Sequence, residues 1–245
     1  MTDQIPPRIE VHESSDALAT AVAGELLSRL VDAQADGSTP QIALTGGTIS
    51  EVIHREVARL TPGSEVDWSR VVIWWGDERY VGPGSPDRNA AQAQEAFLDA
   101  VGVDPAHIHR IPSTEEAPDI ETAAAAYEAD LREFGSGEFD VMMLGVGPDG
   151  HVASLFPGYP QLDVDDRIAV AVTDSPKPPP ERVSLTFDAL NRSKAVWFLV
   201  SGEGKADAVA AALADGTDRH DTPAAGVRGA EETIWFLDRE AASRL

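Results

Sequence analysis

Short apolar runs alternate along the chain with segments of helical spacing, and this alternation constrains the fold more than any other feature. Continuous apolar runs of about four to eight residues are typical of strands that are buried on both faces. Parallel neighbours of this kind need a crossover, usually a helix, between one strand and the next. The predicted strands are residues 40–45, 70–75, 139–145, 167–172, 182–187, 195–201 and 233–237, and the predicted helices are residues 15–32, 50–60, 89–101, 122–134, 204–214 and 238–245.

The pattern predicts the fold class α/β, with one three-layer domain over residues 1–245. Its doubly wound, mostly parallel sheet would carry helices on both faces. A chain of 245 residues, of which 42% are hydrophobic, can bury a core of this size. The Pro-rich stretch 174–182 is too short to separate two domains, and we predict a rigid surface loop there.

Composition excludes several classes of function. The chain has no cysteine, which rules out disulfides, thiolate chemistry and cysteine zinc sites. A net charge of −23 opposes binding to nucleic acid or to an anionic membrane. No run of about 18 apolar residues is present, and residues 1–13 lack the features of a signal peptide, so we expect a cytoplasmic protein. His107 and His109 lack a third ligand nearby, and no metal is expected.

A glycine turn follows the first predicted strand, residues 40–45. In parallel sheets, ligands bind beyond the carboxyl ends of the strands, which is where Gly46, Gly47 and Thr48 lie. Adjacent glycines allow a ligand close to the backbone, and the N-terminus of the following helix offers free N–H groups to an anion. An ordinary tight turn remains the alternative. Neither a phosphate-binding P-loop nor a dinucleotide fingerprint is present in this turn.

Charged residues follow other predicted strands. Asp77 and Arg79 come directly after the strand 70–75, and Asn89 lies further along the same connection. They form either a solvated surface or part of a site. Lys205 stands at the start of a predicted helix, where the helix dipole disfavours a cation unless an anion such as phosphate binds. Arg182, just after the Pro-rich stretch, is a second candidate cation.

The loop after the strand 139–145 carries a histidine. His151 follows a glycine-rich segment, with Asp149 two residues before it. An imidazole beside a carboxylate has the parts of a general base and its orienting partner. A lone histidine is more often structural, but this one lies at a strand end, and we predict a catalytic role.

These segments together resemble one enzyme family. The stretches WGDERYV, FDVMMLGVGPDGHVASLFPG, SPKPPPERVSLT, VSGEGKADAV and TIWFLDREAA are similar to the 6-phosphogluconolactonases, over residues 40–240. The wider superfamily includes glucosamine-6-phosphate deaminases. The resemblance implies hydrolysis of 6-phospho-D-glucono-1,5-lactone in the pentose phosphate pathway, without metal or organic cofactor. The only expected partner is this small molecule, with no nucleic acid or membrane, and the chain would be a monomer or small homo-oligomer.

The resemblance also implies roles for individual residues. The general base would be His151, with Asp149 as its acidic partner and Arg79 in contact with the substrate. The implied substrate-binding residues are Gly46, Gly47, Thr48, Asp77, Asn89, Arg182 and Lys205, and of these the glycine turn, Lys205 and Arg182 would hold the phosphate. This chain departs from the family's Ser-Gly-Gly-Ser-Thr-Pro turn, because Ile49 and Ser50 replace the Thr-Pro pair.

Two alternatives remain open. An amino-sugar phosphate deaminase or isomerase moves protons between C1 and C2, and it should need a further carboxylate soon after the histidine. After His151 there is no acidic residue before Asp163, which favours hydrolysis. A sugar-phosphate sensor without catalysis would have little need for both Asp149 and His151, and this favours an enzyme.

Overall fold

The structure is a computed structural model, which describes residues 5–245. The first four residues of the expected domain lie outside the described residues, and one domain over 1–245 stays a prediction. The strands are β1 Arg8–His12, β2 Gln41–Leu44, β3 Val72–Trp75, β4 Asp77–Arg79, β5 Phe139–Leu144, β6 Ala169–Val172, β7 Arg182–Leu185, β8 Ser193–Val200 and β9 Glu232–Asp238. The helices are α1 Ser15–Ala35, α2 Thr48–Leu60, α3 Asn89–Ala93, α4 Asp99–Val101, α5 Ile120–Phe134, α6 Phe187–Leu190 and α7 Ala206–Leu213.

A six-stranded parallel sheet forms the centre of the fold, in the order β1-β9-β8-β5-β2-β3. Strands β2 and β3 are buried along their whole length, which agrees with their continuous apolar sequence. Helix α1 packs against α2 and β9. The predicted α/β class with a mostly parallel sheet is confirmed.

A second, smaller sheet was not anticipated. Strands β4, β7 and β6 form an antiparallel sheet in that order, apart from the parallel one. The sequence pattern had grouped β6 and β7 with the other apolar strands. Only residues 173–181 connect these two strands, and they hold no helix to carry the chain across for parallel pairing. Strands β1 and β4 were not predicted.

The predicted helix over residues 238–245 is wrong. Strand β9 continues through Asp238, and the residues after it form turns. The Asp238 carboxylate accepts hydrogen bonds from the backbone N–H groups of Gly202 and Ala241, which fixes a turn. The seven residues after Asp238 are too few to sustain a helix without strong packing.

The other predicted helices agree with the structure to within a few residues, and the short helix α6 was not predicted. The predicted helix 89–101 contains a π-helical turn, Gln94–Leu98, between α3 and α4. Within residues 5–245, none of the helices combines the length and apolar character that a bilayer crossing needs.

The sheet order creates a crevice at one edge. Strand β3, which follows β2 along the chain, pairs with one side of β2, and β5 pairs with the other side of β2. At such a reversal the two connections leave in opposite directions and open a space beyond the carboxyl ends of the strands. The loops after β8, β5, β2 and β3 all reach this edge.

Candidate active site

The glycine turn after β2 leads directly into α2. Gly47 is the N-cap residue, with φ at 101°, a conformation that favours glycine. Within the described part of the chain, no side chain caps this helix, so its first N–H groups are free to bind an anion. Ser50 donates its hydroxyl hydrogen to the carbonyl of Thr45 at 2.7 Å. Ser50 stands where the resembled turn has proline, and its hydrogen bond closes the turn. Helix α2 still begins at Thr48.

A cavity of about 400 Å³ lies over this turn. Its wall includes Gly46, Gly47 and Thr48 from the turn, Gly145 after β5, and Lys205 before α7. The structure therefore brings together, around one cavity, the turn and the lysine that the sequence predicts as phosphate ligands.

Arg79 lies at the end of β4, against the glycine turn. Its Nη1 donates to the carbonyl of Asp87 at 3.1 Å and to Oδ1 of Asn89. A Cβ atom on Gly46 would overlap the Asn89 side chain and lie 3.2 Å from Nη1 of Arg79. Glycine at position 46 is therefore needed for this close approach. Asp77 and Asn89 are also at the site, but both are buried and hydrogen-bonded to each other.

The histidine loop after β5 is closed by its own backbone. Gly147 donates to the carbonyl of His151 at 2.9 Å, and Gly150 donates to the carbonyl of Gly147 at 3.0 Å. The imidazole Nδ1 lies 2.5 Å from Oδ1 of Asp149, and the ring centroid is 4.6 Å from that of Phe156. A Cβ on Gly147 would overlap both His151 and Asp149, so only glycine leaves room for this pair.

The ionisation of Asp149 fixes the role of each imidazole nitrogen. Burial would raise the pKa of the Asp149 carboxyl, but the hydrogen bond and charge of His151 and the charge of Lys177 lower it to about 2. An ionised carboxylate only accepts hydrogen bonds, so Nδ1 of His151 carries the hydrogen. In the neutral ring, the lone pair is then on Nε2, which has no hydrogen-bond partner within residues 5–245.

Two lysines converge on the histidine loop. Lys205 donates from Nζ to the carbonyl of Val146 at 2.6 Å, and its pKa is lowered by burial and by the charge of Lys177. Burial lowers the pKa of Lys177, and the charge of Asp149 opposes this effect. Sequence reasoning missed Lys177, which lies in the Pro-rich stretch predicted as a surface loop. The sequence did hold one indication of its importance, because lysine is rare in this chain and occurs at only three positions.

Arg182 begins β7 and is buried beside the same loop. Its guanidinium donates to the carbonyls of Pro179 and Lys177, at 3.2 and 3.1 Å. It lies 5.9 Å from the centroid of the Phe156 ring, which also contacts His151. Burial lowers the pKa of Arg182, and the negative charge of Asp77 opposes this. All ten residues predicted for the site therefore lie at this edge, in its loops, at the first residues of α2 and α3, or on the adjoining small sheet.

Comparisons with known proteins identify the family to which the chain is similar. The family described as glucosamine-6-phosphate isomerases/6-phosphogluconolactonase matches residues 13–235. The 6-phosphogluconolactonase of Streptomyces coelicolor is 43% identical over 248 residues, covering 98% of this chain and 95% of that protein. That of Mycobacterium leprae is 42% identical over 244 residues, covering 97% and 98%. The crystal structure of 6-phosphogluconolactonase from Thermotoga maritima matches with a TM-score of 0.83 at 28% identity, covering 95% and 99%.

Proposed function

This chain belongs to the glucosamine-6-phosphate isomerase/6-phosphogluconolactonase family, and we infer that it shares the lactonase activity of its relatives in Streptomyces and Mycobacterium. It is an enzyme of the pentose phosphate pathway that hydrolyses 6-phospho-D-glucono-1,5-lactone to 6-phosphogluconate. The family alone does not assign roles to residues, and the roles below are our proposal.

The hydrogen bond between His151 and Asp149 is the observation that carries the mechanism. Its 2.5 Å length and the depressed pKa of Asp149 leave Nε2 as the basic nitrogen. In our proposal Nε2 takes a proton from water as the water oxygen attacks C1 of the lactone. The C1–ring oxygen bond then breaks, and the imidazolium returns the proton to the departing oxygen. Asp149 holds the ring and stabilises its transient positive charge.

The phosphate group is proposed to bind at the N-terminus of α2. The free N–H groups of the turn and the ammonium of Lys205 line the same cavity. Arg182 and Lys177 add positive charge nearby. Because the phosphate is remote from C1, it takes no part in the chemistry. The energy of binding the phosphate instead positions C1 of the lactone next to His151.

Arg79 is proposed to contact the substrate between these two regions. Its guanidinium lies against Gly46, at the edge of the phosphate cradle. A cation here can donate charge-assisted hydrogen bonds to the oxygens of the sugar and to the carbonyl oxygen on C1, where negative charge develops during the attack.

The placement of Asp163 also favours hydrolysis over amino-sugar deamination. Asp163 is the first acidic residue after His151, and its Oδ1 lies 2.8 Å from Nε2 of His220, in an ion pair whose two side chains are exposed. It is therefore engaged elsewhere and does not supply the second carboxylate that proton transfer between C1 and C2 requires.

A direct assay tests the function. Purified protein is mixed with freshly made 6-phosphogluconolactone, and acid release is followed with the spontaneous opening subtracted. Glucosamine 6-phosphate is tested in parallel for ammonia release. We expect catalysed lactone hydrolysis and no ammonia. Ammonia release without lactone hydrolysis above the spontaneous rate would overturn the proposal.

A further inference from the structure

Ser154 ties the histidine loop to the small sheet. Its hydroxyl donates to Oδ2 of Asp77 at 2.6 Å, and its backbone N–H donates to the Ser184 hydroxyl at 3.1 Å. Ser154 is 1% exposed and Asp77 is 6% exposed, so water competes little for these bonds. A loop that follows a strand of the parallel sheet is thus anchored to β4 and β7 of the other sheet.

The same hydrogen-bond chain continues to Arg79. The Asn89 amide nitrogen donates to the carbonyl and to Oδ1 of Asp77, at 2.9 and 3.2 Å, and Asn89 Oδ1 accepts from Arg79. The orientation of this amide is fixed by its partners, since both Asp77 atoms only accept hydrogen bonds and the guanidinium only donates them. Ser154, Asp77, Asn89 and Arg79 therefore form one hydrogen-bonded chain, in which Ser154 and the Asn89 amide both donate to Asp77. We call this chain the buried relay.

The backbone beside Ser154 is strained. Ala153 has a φ of 50°, in the left-handed region that residues other than glycine rarely adopt. Such a conformation persists only where its surroundings hold it in place. The two hydrogen bonds of Ser154 are well placed to do this, and the strained residue lies between that anchor and His151.

Both carboxylate oxygens of Asp77 are engaged within the relay, as are both polar atoms of the Asn89 amide. The sequence predicts substrate contact for these two residues, and the relay gives them a role inside the protein as well. The groups that act on the lactone in the proposed mechanism are His151, in the loop after β5 of the parallel sheet, and Arg79, in β4 of the small sheet. Their separation is therefore not set by a single rigid element.

We infer that Ser154 and Asp77 are positioning residues, which fix the separation between His151 and Arg79 through the buried relay. The inference rests on the proposed function. Breaking the relay leaves the phosphate cradle and the His151–Asp149 pair in place, but it releases the guanidinium and the histidine loop from each other. The loss should therefore appear in kcat rather than in KM.

The test compares Ser154→Ala with Ser193→Ala. Ser193 is equally buried, and its hydroxyl donates to the Leu190 carbonyl at 2.7 Å, at the opposite end of β8 from the site. We expect Ser154→Ala to lower kcat about 10- to 100-fold, the scale for a misplacement of about 1 Å, with KM within about twofold of wild type. The Ser193→Ala control should change neither constant, while thermal unfolding reports the stability of both variants.

A double-mutant cycle separates positioning from a structural effect. In Arg79→Lys the relay is already broken at its far end. The double variant Arg79→Lys/Ser154→Ala should therefore have a kcat less than about threefold below that of Arg79→Lys alone. Multiplicative losses in the double variant, or a Ser154→Ala enzyme that matches the Ser193→Ala control, would overturn the inference. A wild-type protein without lactone hydrolysis would instead contradict the proposed function, which the wild-type assay reveals before any variant is made.

Discussion

Arg79 and Arg182 occupy directly opposite positions in the antiparallel ladder of β4 and β7. Directly opposite side chains lie on the same face of a sheet, and like charges in such a pair repel each other. The pKa of Arg182 is lowered by burial and, further, by the charge of Arg79. A protein with a net charge of −23 thus concentrates cations at one edge, where an anion would relieve their repulsion.

Inorganic phosphate should therefore stabilise the folded protein. A ligand that binds only the native state raises the unfolding temperature, and we expect a rise of about 2 °C or more at saturating phosphate. Sodium chloride of equal ionic strength controls for screening of the acidic surface. Equal shifts with both salts would show that no specific anion site exists at this edge. The same phosphate shift in Lys205→Ala would show that Lys205 does not contact the anion.

Lys205 should distinguish phosphorylated from unphosphorylated substrate. Lys205→Ala is expected to raise KM for 6-phosphogluconolactone at least about tenfold more than KM for gluconolactone, since only the former carries the anion. Lys194→Ala is the matched control, because Lys194 pairs with Asp140 at 2.8 Å near the opposite edge of the sheet. Similar increases for the two substrates would show that Lys205 does not contact the phosphate.

Gly147 should tolerate no side chain. In Gly147→Ala the new Cβ displaces His151 and Asp149 from each other, and we expect kcat to fall about 100-fold or more. In Gly63→Ala the new Cβ meets nothing within 4 Å, which makes it the control for a glycine-to-alanine change. Normal turnover in Gly147→Ala would mean that the His151–Asp149 geometry is not needed for catalysis.

His220 should link stability to pH. Its ring nitrogens lie 2.8 Å from carboxylate oxygens of Asp163 and Asp218, and the hydrogen bonds to these two residues raise its pKa above the ordinary 6.5. A raised pKa in the folded state gives stability that is fully present below about 6.5 and is lost as pH rises through the folded value. His220→Gln should therefore lower the unfolding temperature relative to wild type at pH 6 more than at pH 9.

The His220 effect should be small, because the ring is 42% exposed and surface ion pairs are screened by salt. Thermal unfolding at low and high sodium chloride checks this expectation. A difference between His220→Gln and wild type that grows with pH would have the wrong sign and would contradict the ion-pair interpretation.

The sequence predicted the strands that are continuous and apolar, because burial on both faces leaves a clear pattern. It missed β1, whose burial is mixed and whose residues include Arg8 and Glu10, as expected for a sheet edge. It also missed β4, which is only three charged residues, Asp77–Arg79. No local pattern could indicate that these three residues pair with β7, since that pairing spans about a hundred residues of sequence.

For the site, strand ends and the family resemblance pointed to residues that the fold brings to one edge of the sheet, but they did not determine the partner of each. Asp77 and Asn89 are predicted to contact substrate, and the hydrogen bonds that the folded chain gives them, to Ser154 and Arg79, were not predicted. Lys177 was overlooked because its approach to Asp149 depends on how the Pro-rich stretch folds back over the histidine loop. Both outcomes depend on long-range contacts that spacing in the sequence does not encode.

The central claim is that His151 is the general base, and His151→Ala tests it most directly. The measurement is kcat for 6-phosphogluconolactone, with spontaneous opening subtracted and His107→Ala as the control for loss of a histidine away from the site. His107 has its ring nitrogen 2.9 Å from the Ser69 carbonyl, at the amino end of β3. The account predicts a fall in kcat of about 100-fold or more in His151→Ala, with the fold intact by circular dichroism. Turnover in His151→Ala within a few-fold of the His107→Ala control would contradict it.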